Sequence, residues 1–145
     1  EEFMSIWVVQ PTHANFTAQS RGTMIEHLAI EFIAAGEDFV SARMPVDART
    51  VQPYGLLHGG ASVALAETLG SMAAACCVDP AKKMVVGLDI NANHVRGVRS
   101  GYVIGTARPI HLGGSTQVWD IRIVDERDKL VCISRLTMAV LDRVA

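Results

Sequence analysis

One carboxylate stands apart in this chain. Glu67 is the only Asp, Glu, Lys or Arg between Arg49 and Asp79, and its neighbours are alanine, leucine, glycine and methionine. A carboxylate among apolar side chains is costly unless it is paired or used chemically. From the residue alone two readings stay open: a side chain escaping to solvent at a helix edge, or a general base or nucleophile. Ser71 follows four residues later and shares its helix face. Its hydroxyl could hold the carboxylate or a water, or simply pack among alanines. Upstream, His58-Gly59-Gly60 falls where the apolar segment begins. Free N–H groups at a helix start, with the positive end of the dipole, favour a developing negative charge. His58 could be a donor, a cap or a packed core side chain. Gln52 could add an amide donor or be an ordinary loop glutamine.

Spacing constrains how these groups work together. Eight helical residues separate Gly59 from Glu67, or about 12 Å along the axis. A reacting carbonyl carbon needs its donors and its base each about 3 Å away. One subunit can hardly supply both. The expectation is that Glu67 of one subunit faces the helix start of another, which makes a dimer the condition for activity.

Two further stretches are rich in donors. Asn93-His94-Val95-Arg96-Gly97-Val98-Arg99 reads as a basic loop after a strand, either solvated or binding phosphate through its guanidinium groups. His111-Leu112-Gly113-Gly114-Ser115-Thr116 reads as a loop able to cradle a phosphate or pantetheine arm, or as a plain strand connection. The five histidines lack metal-ligand spacing, and no GxSxG is present. Cys76, Cys77 and Cys132 are odd in number and lie in apolar surroundings, which predicts reduced, buried thiols in a cytoplasmic setting.

These groups need a scaffold. The 145 residues suit one domain, taken as 4–145, with residues 1–3 read as extraneous and Met4 as the native start. Half of the residues are hydrophobic and the net charge is −2, so no basic face for nucleic acid or membrane is expected, and no signal peptide is seen. Residues 59–78 predict one long helix, apolar nearly all round and therefore buried on most sides. A membrane span is disfavoured by Glu67 at the segment's centre. Alternation or apolar runs predict strands at about 30–35, 39–46, 84–91, 102–110, 116–124 and 130–141. Residues 125–129 predict a charged turn, and the segment before Thr23 reads as weakly helical at best. Short connections after the helix favour antiparallel neighbours. The expected fold is therefore α+β, an antiparallel sheet of five to six strands wrapped around one central helix.

Three segments then carry a family resemblance: Met44-Pro45-Val46-Asp47, Gln52-Pro53-Tyr54-Gly55-Leu56-Leu57-His58-Gly59-Gly60-Ala61-Ser62, and Ala66-Glu67-Thr68-Leu69-Gly70-Ser71. They resemble the hotdog-fold thioesterases of the hydroxybenzoyl-CoA type. Within that group the chain is most similar to bacterial dihydroxynaphthoyl-CoA and enterobactin-proofreading thioesterases. Gly87–His94, Pro109–Gly113 and Ser134–Thr137 extend the match, which runs from about Ala29 to Leu141.

The resemblance implies hydrolysis of an acyl-CoA, with an aromatic acyl group, by Glu67 as nucleophile or general base. It implies that the Gly59 amide polarises the thioester carbonyl, that Gln52 and His58 assist, and that Ser71 positions water. It implies substrate and CoA contacts from Gly87, from His94, Val95, Arg96 and Gly97, and from His111, Leu112, Gly113, Gly114, Ser115 and Thr116. Met72 and Tyr54 are candidate walls of the acyl pocket. Gly113-Gly114-Ser115 lacks a basic residue that some relatives carry there. CoA is part of the substrate, no separate cofactor or metal is implied, and a tetramer of two dimers is. Alternatives are a proofreading thioesterase acting on a carrier-protein-linked acyl group, a hydratase or dehydratase, and a non-catalytic acyl-CoA sensor. No Asp lies between Gln52 and Ser71 to serve a hydratase, and no DNA-binding segment is found to serve a sensor.

Overall fold

The computed structural model describes residues 5–144. The proposed start at Met4 lies outside the described residues. Helices α1 (His13–Ser20) and α2 (Met24–His27) precede strands β1 (Glu31–Ala35) and β2 (Val40–Pro45). The long helix α3 (Gly59–Cys76) follows, and then β3 (Lys83–His94), β4 (Tyr102–Leu112), β5 (Thr116–Val124) and β6 (Leu130–Asp142). The six strands form one sheet in the order β1-β2-β4-β5-β6-β3, and every pairing is antiparallel.

Alternation decides which face of the sheet meets α3. Val40, Ala42 and Met44 of β2, Val103 and Ala107 of β4, and Trp119, Ile121 and Ile123 of β5 are buried on the inner side. Against them α3 sets Leu65, Ala66, Leu69, Ala73 and Ala74, a set recurring at three and four residues. The outer face carries ion pairs between strands or their ends, such as Arg43 with Glu31 (2.9 Å) and Arg108 with Asp38 (3.3 Å).

Several expectations are corrected. The N-terminal segment is more ordered than its sequence foretells: Thr12 caps α1 by accepting from the Asn15 N–H, and Thr23 caps α2 by accepting from the Ile25 N–H. Trp7 stacks on Trp119 at 6.4 Å and donates its indole N–H to the Gly36 carbonyl, while the Val8 and Val9 amides satisfy the Cys76 carbonyl at the end of α3. Neighbours in sequence become neighbours in the sheet for β4, β5 and β6 but not for β3, which crosses to the far edge beside β6. Helix α3 is buried along one face only; Val63, Ala64, Glu67, Thr68, Ser71 and Met72 are half-buried. Two of the expected loops are partly strand. Asn93 and His94 end β3, and His111 and Leu112 end β4, because both ladders run further than the apolar alternation does.

Candidate active site

The start of α3 is built by a tight loop. Thr50, 1% exposed, donates its hydroxyl to the Pro45 carbonyl and accepts from the Asp47 amide. The His58 amide donates to the Thr50 carbonyl, and Val51 bridges Leu57. This closes residues 51–57 into a hairpin-like turn, with the Gln52 amide bonded to the Leu56 carbonyl and Gly55 at φ 78°. Gln52 Oε1 accepts from the Tyr54 amide. Its oxygen is thereby engaged, and the NH2 end is the one left to offer a ligand. Thr50 was missed from sequence, where nothing separates it from any other loop threonine.

The structure makes His58 a cap: Nδ1 accepts from the Gly60 amide at 2.7 Å, which leaves Nε2–H as a donor. The Gly59 amide, one position earlier, has no hydrogen-bond partner among the described residues. The imidazole of His94 stands over this same glycine. A Cβ placed on Gly59 would lie 2.8 Å from His94 Nε2. Gln52, Gly59, Ser62, His94, Val95, Arg96 and Gly97 all line one cavity of about 380 Å³. Beyond it, Asp125 is held below the ordinary carboxylate range, first by the Lys129 amide and then by the Arg127 amide and the charges of Arg96 and Arg127.

Glu67 lines a different cavity, of about 480 Å³, together with Thr68, Ser71 and Met72. The facing wall is Phe16, Gln19 and Ser20 of α1 and Met24 and Ile25 of α2. The sequence reading missed these five, because a helix with one large buried side chain carries no periodic signal. Glu67 Oε1 lies against Gly87 of β3. The Ser71 hydroxyl points to Met138 Sδ at 3.9 Å rather than to the carboxylate. Tyr54 is 84% exposed and lines neither cavity of the single chain. His111, Leu112, Gly113, Gly114, Ser115 and Thr116 also line neither cavity. They form a tight β4–β5 hairpin in which Gly113 N–H donates to the Thr116 carbonyl and the Ser115 carbonyl accepts from Val140. Its register beside Ala139 and Val86 sets it at the Gly87 end of the sheet.

Neither cavity therefore contains both an activating carboxylate and the open amide of Gly59. Among the described residues no group of three or more His, Cys, Asp or Glu side chains is placed to hold a metal, and no helix is long and apolar enough to cross a membrane.

A six-stranded antiparallel sheet around one helix, with the carboxylate at mid-helix and a bare amide at its start, defines a class, and comparison with known proteins agrees. Residues 54–132 match the model of the thioesterase superfamily. The 1,4-dihydroxy-2-naphthoyl-CoA hydrolase of Escherichia coli is 52% identical over 136 residues, covering 94% of this chain and 99% of that one. The proofreading thioesterase EntH of Cronobacter turicensis is 50% identical over 136 residues, covering 94% and 98%. A Pseudomonas aeruginosa thioesterase, crystallised as a glutamine-to-alanine variant, superposes with a TM-score of 0.94 at 50% identity, covering 96% of this chain and 100% of that one. The chain belongs to the thioesterase superfamily and has its hotdog fold. It is a thioester hydrolase.

Proposed function

We propose that the protein hydrolyses an acyl-CoA thioester, with an aromatic acyl group, to the free acid and CoA, at a site completed by two subunits. The observation that carries this reading is the division of the chemistry between two cavities. One offers donors from Gly59 and Gln52; the other offers Glu67 in a largely apolar chamber.

Strand β3 supplies a way to join them. It is a twelve-residue edge strand with one side unpaired among the described residues. Such an edge invites another strand. Glu67 abuts Gly87 near one part of β3, and Gly59 abuts His94 at its end. Antiparallel pairing of two β3 strands about a two-fold axis at Asn91, with Leu88 as the extra residue of the irregularity after Gly87, sets Gly87 opposite the partner's His94. Each Glu67 then approaches the partner's Gly59. The half-buried apolar side of α3 is covered in the same step. Two such dimers would give the tetramer that the resemblance implies.

In this arrangement the Gly59 amide and the Gln52 side-chain amide stabilise the oxyanion that develops on the thioester carbonyl. Glu67 of the other subunit either deprotonates a water that attacks the carbonyl or attacks it directly to form an anhydride, which water then opens. The C–S bond breaks, CoA leaves as its thiolate and takes up a proton, and the acid is released. His94, Val95, Arg96 and Gly97 lie where the pantetheine and nucleotide would exit. The E. coli relative's naphthoyl substrate and the apolar chamber beside Glu67 support the aromatic preference.

The test is a panel of aryl- and alkyl-CoA thioesters, with thiol release measured for the wild type and Glu67→Ala. The variant is expected to lose at least about two orders of magnitude in kcat. Full activity in a folded Glu67→Ala would overturn the proposal. A single turnover in heavy-oxygen water separates the two routes, because label in the Glu67 carboxylate arises only through the anhydride.

A further inference from the structure

Phe16 stands between two cavities. Its ring is 4% exposed and lines the 480 Å³ chamber that holds Glu67. It also lines a second cavity of about 170 Å³, whose other walls include His13, Thr17, Ala29 and Ile30, with Glu26 and Glu31 at its rim. Ser20, one helical turn on, is the only other residue common to both. The Ser20 hydroxyl donates to the Phe16 carbonyl at 2.6 Å, so its one donor is already used within the helix. The two chambers share the Phe16 ring and a serine whose one donor is used.

The ring is held in place. Phe32 of β1 packs on it at 6.2 Å between centroids with a 42° tilt, and His13 meets Phe32 edge-on at 6.4 Å. A buried side chain fixed by aromatic neighbours cannot swing aside without opening the core. Behind it lies space rather than packed protein. This differs from an ordinary core phenylalanine, whose removal leaves a closed void.

We propose that Phe16 is a specificity-determining residue that sets the upper size of the acyl group. The proposal rests on the reading that the Glu67 chamber receives that group. An acyl group that ends at the ring fits; one longer must displace it from Phe32. Replacing the ring by a smaller side chain joins the chambers and extends the pocket towards Ala29 and Ile30.

The experiment measures kcat/KM over straight-chain and para-alkyl-benzoyl CoA thioesters lengthened in two-carbon steps, for the wild type, Phe16→Leu and Phe16→Ala. A single methylene in an apolar pocket changes discrimination by about 10- to 200-fold. The wild type is therefore expected to fall at least about ten-fold at one step, and the long-to-short ratio of Phe16→Leu to rise at least about ten-fold. Phe16→Leu keeps most of the core contacts and serves where Phe16→Ala does not fold. Adding Thr17→Phe, which fills only the smaller cavity, should return the ratio towards the wild-type value. A folded Phe16→Leu that is slower by one factor across the whole series, or whose ratio is unchanged, overturns the proposal. A wild type that hydrolyses none of these thioesters, or whose activity survives Glu67→Ala, instead overturns the reading beneath it.

Discussion

Gly87 and Glu67 meet without room for a methyl group: a Cβ on Gly87 would lie 2.7 Å from Glu67 Oε1. The glycine interrupts β3 just before its register against β6 shifts, between Gly87 and Asp89. Such a shift bends a strand and is common beside functional sites. Because the clashing atom is the tip of a flexible side chain, Gly87→Ala should displace the carboxylate and leave the backbone intact. A misplacement of about 1 Å can cost about 100-fold in rate. Gly87→Ala is expected to lower kcat/KM by about 10- to 100-fold while its melting temperature stays within a few degrees of wild type. Unchanged activity in thioester assays would show that the carboxylate need not stand at Gly87.

Division of the site between subunits predicts complementation. Gln52→Ala removes a proposed oxyanion donor, a loss worth about 10²- to 10³-fold in comparable sites. Glu67→Ala removes the carboxylate. In a mixed dimer one site carries both lesions and the other carries neither. Unfolding and refolding the two variants together at equal amounts should therefore restore about a quarter of wild-type activity, from random pairing of two-fold dimers. A mixture that stays as inactive as its components would place both groups in one subunit's site.

The parts legible in the sequence were those whose signal is local. Trp119, Ile121 and Ile123 alternate with Asp120 and Arg122, and β5 spans the expected residues. The proline-free alanine- and leucine-rich run gives α3, two residues shorter than expected at its end. What stayed hidden depends on contacts between distant segments. Phe16 gives α1 its only large buried side chain, so the helix shows no stripe until Phe32 packs on it. His94 and Gly59 lie 35 residues apart in sequence, and their contact arises only because β3 crosses to the sheet edge. His111 to Thr116 read as one loop, whereas β4 runs on through Leu112 and leaves three residues for the turn.

The loop that carries Gln52 should be sensitive to acid. Asp47 is held at about 2, chiefly by the Arg49 side chain and then by the Arg49 amide. Its folded value lies below the ordinary carboxylate value of 3.8, so the ionised form is favoured by folding. The stability this contributes is present in full above about pH 5 and is lost as the pH falls through about 4 towards about 2. Thermal melts of wild type and Asp47→Asn should differ by a constant amount near neutrality and converge through that acid range. A gap that stays constant across it would remove the ion pair as the cause.

The thiols should be inert in the folded protein. Burial pushes Cys77 up to about 12, with the neighbouring Cys76 adding to the shift, and burial also raises Cys76 and Cys132. Thiolate is the reacting form, so each raised unit removes about ten-fold of the reactive population. At mildly alkaline pH a disulfide reagent should react with native protein at least about ten-fold more slowly per thiol than with free cysteine. All three should react after denaturation. Cys76 and Cys77 are only half-buried, unlike Cys132, so rapid release of one equivalent from native protein would show that the raised thiol value of one of these two does not protect it.

His58 offers a separation of structural from catalytic roles. Its Nδ1 accepts from the Gly60 amide, so the imidazole caps α3 beside the open amide of Gly59. Asparagine can accept the same bond with a shorter side chain, whereas alanine cannot. His58→Ala is expected to lose about 1 kcal/mol of stability in denaturant melts, and His58→Asn to recover most of it. Activity distinguishes the two roles. If the ring acts only as a cap, kcat/KM in His58→Asn should return with stability, because the helix start again holds the Gly59 amide in place. If stability returns but thioester hydrolysis stays at the alanine level, the imidazole itself touches the substrate, and His58 joins Gln52 as a donor in the site.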